Sequence, residues 1–158
     1  MPLGSNLTTD VKAALNAMGS LHDQAAALAA AYYSYTSGAL FGASVPVITT
    51  TMRDAMASAL QVGFTVPGLP ATAATAYGNA VNAFWTGVPV AGASGVGTVA
   101  GCPGAAACIA TLSALFLVLT NTRDAVGAAI ATALQTATLL TTCTLTLAPN
   151  PPVVTPIS

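Results

Sequence analysis

Glutamate is absent from this chain of 158 residues, and lysine and histidine occur once each, as Lys12 and His22. Two arginines, Arg53 and Arg123, and four aspartates, Asp10, Asp23, Asp54 and Asp124, complete the charge for a formal net of −1. Charged residues make up 4% of the chain, where soluble domains carry about 25%. Binding to nucleic acid works by displacing counterions from phosphates with several Lys or Arg side chains, and three basic residues exclude that partner. The same shortage removes long-range electrostatic steering, and it leaves a free monomer little charge repulsion to keep it in solution. Chains whose surface is covered, in a large assembly or a membrane, escape that limit.

Titratable groups are too few for chemistry. A general base or a nucleophile pair needs such groups within mutual reach, and His22 has only Asp23 beside it in sequence, which reads as a polar helix surface. No set of ligands suits a metal of hard or soft type. The Gly92–Gly97 stretch "GASGVG" has neither the Lys of a phosphate-binding loop nor the flanking elements of a dinucleotide site. The expectation is therefore no enzyme, no catalytic residue, no cofactor, no metal and no small-molecule substrate.

Long apolar runs are also missing. The most apolar stretch, Ala105 to Leu119, has 15 residues and is stopped by "TNTRD", short of the roughly 20 that a spanning helix requires. The opening "MPLGSNLTTD" lacks a basic segment followed by an apolar one, so no signal peptide is expected. A small membrane-active, holin-like protein using residues 105–119 stays as the alternative reading. Three cysteines, Cys102, Cys108 and Cys143, form neither an even framework nor a zinc pattern. They read as small buried apolar groups. A Cys102–Cys108 bridge would fit only a third reading, a secreted coat or adhesive protein.

What is present is alanine, threonine and helical spacing. Thr8 to Ser37 predicts one helix broken at Gly19-Ser20, or two in succession. Further helices are expected from Thr51 to Val62, Ala71 to Phe84, Ala105 to Leu119 and Thr122 to Thr138. Thr86 to Gly101 reads as a loop or loose hairpin. "TTCTLTLAP" alternates with a period of two and predicts a strand with Leu145 and Leu147 on one face. "NPPVVTPIS" has three prolines in nine residues and is expected to be extended. The fold class that follows is mainly α. It comprises one helical domain, 1–148, with a small β hairpin and a C-terminal strand, followed by an extended Pro-rich arm, 149–158.

The Arg-Asp pair occurs twice, as Arg53-Asp54 and Arg123-Asp124. Thr51 with Asp54, Asn121 with Asp124, and Ser20 with Asp23 each have the spacing of a helix N-cap followed by an acid three residues on. Asp10 follows a polar run in the same way. All four acids are expected in first turns, where free N–H groups and the helix dipole favour a carboxylate. The pairs thus read as independent helix starts rather than as a duplicated unit.

Association through apolar surface then needs candidates. Phe84-Trp85 at a helix end could anchor a partner, since Trp is often dominant in interfaces, or could equally well plug the core. The arm residues Pro151, Pro152, Val153, Val154 and Ile157 have no core of their own. Arg53 and Arg123 could add isolated polar contacts.

The stretch "AVNAFWTGVP", the Gly-rich turn after it and "LSALFLVLTNTRDAVGAAIATALQTATLLTTCTLTL" carry a resemblance over Ala80 to Leu147. This Ala/Thr-rich, Lys-poor pattern resembles the small virion structural proteins of tailed bacteriophages, among them tail, baseplate and neck components. The resemblance implies a structural subunit of a virion assembled in the host cytoplasm. Its partners would be copies of itself and other virion proteins, through apolar contacts, with no catalytic residue to carry over.

Overall fold

Six helices and five strands alternate along the chain in the computed structural model, which describes residues 3–4, 6–17, 19–65, 70–118, 120–147 and 150–158. Two helices come first, α1 (Leu7–Asn16) and α2 (Leu21–Thr36), then β1 (Ser44–Pro46). Helices α3 (Thr50–Thr65) and α4 (Pro70–Trp85) follow, then β2 (Pro89–Gly92) and β3 (Gly95–Thr98). The chain continues through α5 (Ala105–Phe116), α6 (Arg123–Leu139), β4 (Thr142–Thr146) and β5 (Val153–Pro156).

The helices pack in a ring. Each touches its sequence neighbours, and α6 returns to α1. The Gly4 N–H donates to the Tyr35 carbonyl at 2.8 Å, joining the start of α1 to the end of α2. Asn16 donates to Asp124 at 3.4 Å, joining the end of α1 to the start of α6. Helix α1 therefore runs opposite to both α2 and α6. The turns between α1 and α2 and between α5 and α6 lie at one pole, and α2, α4 and α6 deliver the chain to the sheet at the other. Alanine makes this close ring possible. Ala29, Ala74, Ala80, Ala131 and Ala137 are fully buried between helices, where a larger side chain would hold the axes apart.

The helix starts separate the two Arg-Asp pairs. Ser20 caps α2 through a complete capping box, in which its hydroxyl accepts from the Asp23 N–H at 3.2 Å and its own N–H donates to the Asp23 carboxylate at 2.9 Å. At α6 the capping side chain is Thr122, which accepts from the Ala125 N–H at 3.2 Å. Asn121 instead donates to the Leu115 carbonyl, and Asp124 stays in the first turn. The expected Thr51–Asp54 cap is corrected. Helix α3 already includes Thr50, no acid lies in its first turn, and Asp54 binds Arg53 at 2.7 Å. The two pairs thus sit differently: Arg123-Asp124 opens α6, whereas Arg53-Asp54 lies a turn inside α3.

The mainly α expectation is also corrected. The strands form one five-stranded antiparallel sheet in the order β1-β2-β3-β4-β5, so the fold is α+β. The hairpin β2–β3 falls where a hairpin was expected, and β4 falls in the alternating threonine segment. Two strands come from stretches read as a connector and as a free arm: β1 in "GASVP", and β5 in residues 153–156. The sheet curls until its ends meet. Leu40 and Ser158 exchange N–H···O bonds of 3.1 and 2.9 Å, and Phe41 bridges Ile157. The expected boundary between domain and arm, residues 148 and 149, lies outside the described residues.

One aromatic cluster fastens the helix ring to the sheet. Tyr32, Phe84 and Trp85 are buried side by side, with ring centroids 4.9 Å apart for Tyr32–Phe84 and 5.4 Å for Phe84–Trp85. Phe41, from the sheet end, meets Trp85 edge-on at 6.1 Å. A second cluster joins three helices: Phe64 of α3, Tyr77 of α4 and Phe116 of α5.

Candidate interaction surface

Strands β1 and β4 alternate between core and solvent, β2 and β3 bury one residue each, and β5 buries none of its own. Ser44 and Pro46, Val90, and Cys143 with Leu145 point inward. The outward set crosses the strands in rows fixed by the register. Val45 pairs with Ala91, Ala91 with Val96, and Val96 with Thr146, all exposed. A parallel row runs Pro89, Thr98, Thr144 and Val154. Val47 extends it, donating its N–H to the Pro89 carbonyl at 2.8 Å.

This outer face carries no formal charge. All seven charged side chains of the chain lie on helices: Asp10 and Lys12 on α1, Asp23 on α2, Arg53 and Asp54 on α3, Arg123 and Asp124 on α6. β-branched residues suit a pleated, half-covered surface, which explains the strands locally. It does not explain why Val45, Val96 and Val154 keep 53, 56 and 64% of their surface in water. Soluble sheets usually place Lys or Glu on such a face and edge. Here the threonine hydroxyls are the only side-chain polar groups of the two rows.

The residues expected to make contacts are not brought together. Phe84 and Trp85 are completely buried in the chain's own core and offer no surface to a partner, so of their two readings the core plug holds and the interface anchor is corrected. The physical reason is that the ring and the curled sheet meet at this point, so the large aromatic pair fills the junction. Ile157 is buried as well, beside Phe41. Pro151, Pro152, Val153 and Val154 are exposed. Arg53 is half-engaged with Asp54, and Arg123 is exposed at the start of α6. The outer sheet face was missed because its residues come from four separate segments. The alternation of "TCTLT" was its one local signal.

No constellation for catalysis appears among the described residues. His22 is exposed beside Asp23, whose carboxyl the Ser20 hydroxyl and N–H hold below the usual range. All three cysteines are free and buried. Burial raises their thiols, that of Cys108 to about 12, so they stay protonated and unreactive. No group of three or more His, Cys, Asp or Glu among the described residues could hold a metal. An open groove of about 500 Å³ runs between α1 and α2, lined by alanines with Asp10 and Ser34 at its rim. It offers shape but almost no polar chemistry.

No helix among the described residues is long and apolar enough to cross a membrane. The segment behind the holin-like alternative forms α5, which ends at Phe116. Its 12 residues span about 18 Å at 1.5 Å per residue, against a hydrocarbon core of about 30 Å. Leu119, the last residue of that segment, lies outside the described residues. No family model, no curated protein and no solved structure matches this chain.

Proposed function

We propose that this protein is a structural subunit of a large assembly, associating through the uncharged outer face of its sheet. The observation that carries the reading is the pair of exposed rows, Val45–Ala91–Val96–Thr146 and Pro89–Thr98–Thr144–Val154, on the one large element without a formal charge. Exposed apolar surface of this kind lowers the free energy when covered, by about 25 cal/mol per Å² removed from water. The helical face holds all the charge and would remain toward solvent or toward other partners. The resemblance to small tailed-phage virion proteins is consistent with such a role, as a tail, baseplate or neck component contacting its own copies and other virion proteins.

Placing one charge in the middle of the face tests this. In Val96→Lys the side chain points to solvent, so the fold should persist, with an unchanged circular dichroism spectrum and a melting temperature within a few degrees. Sedimentation velocity should show the wild type as an oligomer and Val96→Lys shifted to monomer by at least tenfold in dissociation constant. An oligomer of unchanged stability in Val96→Lys would remove the sheet face from the assembly.

A further inference from the structure

The outermost strands of the sheet are β1 and β5. In an antiparallel ladder alternate residues exchange main-chain bonds with the neighbouring strand, and the residues between them turn N–H and C=O the other way. The register decides which residues do which. On β1, the Val47 N–H donates to the Pro89 carbonyl and the Ala93 N–H to the Ala43 carbonyl, so residues 43, 45 and 47 face β2. Ser44 and Pro46 therefore face the edge. On β5, the Ile157 N–H donates to the Thr141 carbonyl at 3.1 Å, so residues 153, 155 and 157 face β4. Pro152, Val154, Pro156 and Ser158 turn their main-chain groups outward.

Almost no donor is left on either edge. Ser44 exchanges bonds of 3.0 and 2.8 Å with Phe41, and the Pro46 carbonyl accepts from the Ile48 N–H at 3.1 Å. Ser158 exchanges its bonds with Leu40. Pro46, Pro152 and Pro156 have no N–H to offer. Of the outward residues only Val154 keeps an N–H without a partner among the described residues.

We infer that proline in register seals both edges of the sheet, so that no strand from a second copy or from an extended peptide adds to it. An incoming strand would find one free N–H on β5 and none on β1, and its own carbonyls opposite Pro152 and Pro156 would go unpaired. The composition gives the seal its reason. Sheet edges are commonly guarded by charged side chains, Lys above all, but every charge of this chain lies on a helix. Val153 and Val154 are 58 and 64% exposed, and with a full set of donors β5 would be an uncharged, β-branched template for its own copies. The seal goes beyond the assembly reading above: it removes the edges as contacts whatever covers the outer face.

Restoring the missing donors tests the seal. Pro152→Thr with Pro156→Thr gives β5 outward N–H groups at 152, 154 and 156, and both substituted positions are exposed. The double variant should start with the wild-type circular dichroism spectrum and then grow thioflavin-positive polymer at least tenfold faster than the unmodified chain. Pro151→Thr restores an N–H of the opposite phase and should grow no faster than wild type. Pro46→Val repeats the test on β1 with an apolar side chain at a buried position, and it carries the decision if the double variant does not fold. Growth at the wild-type rate in the folded variants, or equal growth in Pro151→Thr, overturns the seal. The same substitutions in Val96→Lys separate the two readings. Polymer growth there supports the seal independently of the face, whereas an oligomer that survives Val96→Lys rejects the face reading and leaves the growth rates to decide the seal.

Discussion

The Trp85 indole N–H donates to the Tyr32 hydroxyl oxygen at 2.8 Å, and both residues are fully buried. The chain of bonds does not stop there. The Tyr32 hydroxyl lies 2.5 Å from the Thr138 hydroxyl, which donates to the Leu134 carbonyl at 2.7 Å. Because Thr138 spends its proton on Leu134, Tyr32 is the donor to Thr138, and all the polar atoms are satisfied in one direction. Three helices, α4, α2 and α6, are thereby locked at the pole that meets the sheet.

Tyr32→Phe keeps the ring and removes the middle of that relay. The Trp85 N–H loses its acceptor and the Thr138 oxygen loses a donor, in a fully buried site. Leaving such groups unpaired costs about 1–3 kcal/mol each. Chemical denaturation should show a loss of stability of about 2 kcal/mol or more with an unchanged slope. A loss below about 0.5 kcal/mol would show that the relay is not structural.

Two glycines separate steric need from backbone need. Gly104 has ordinary dihedrals, φ −70° and ψ −8°, but an added Cβ would lie 2.5 Å from Ala137 backbone atoms of α6. Gly87 has φ +81° with open space around it. Gly104→Ala should therefore push α5 off α6 and cost upward of about 2 kcal/mol. Gly87→Ala should cost only the left-handed backbone penalty, about 1–2 kcal/mol. Thermal melts of the two variants check the order, and a milder effect at Gly104 would refute the close approach.

Alkaline pH should destabilise the fold. Burial raises the Cys108 thiol from 9.0 to about 12, and it raises the Tyr32 and Tyr77 hydroxyls above their usual value of 10.0. The folded state thus holds protons that the unfolded chain releases. Stability from this source is whole below pH about 9 and is lost as pH climbs toward 12. Denaturation midpoints should be flat from pH 7 to 8.5 and fall above pH 9. Alkylation of the native thiols at pH 8 should be slow and should accelerate on unfolding. Fast native labelling would place the cysteines at the surface.

The helices were largely legible because each is longer than nine residues and carries its own spacing and stop signals. "NAMGSLHDQ" marks the α1–α2 break through Gly19 and the Ser20–Asp23 box, both local features. The sheet was not legible in the same way. Val45, Val96 and Thr146 sit 50 or more residues apart yet form one row. Strands of three to five residues containing Pro46, Pro89, Gly95 or Pro156 look like turns until their partners are known. Trp85 stayed undecided for a related reason. Its value as an interface anchor and as a core plug rest on the same properties, and only the arrival of Phe41 and Tyr32 decides between them. The Arg-Asp echo was half readable: the cap at α6 is real but belongs to Thr122, whereas at α3 the acid turns to its neighbouring arginine.

The mass of the unmodified chain in detergent-free buffer, measured by light scattering between 0.05 and 1 M salt (about 14 to 3 Å of Debye length), tests the central claim most directly. An assembly built on an uncharged face should appear as a defined oligomer or polymer whose mass does not fall as salt rises. A monomer at every concentration, or an oligomer that salt dissolves, would contradict it.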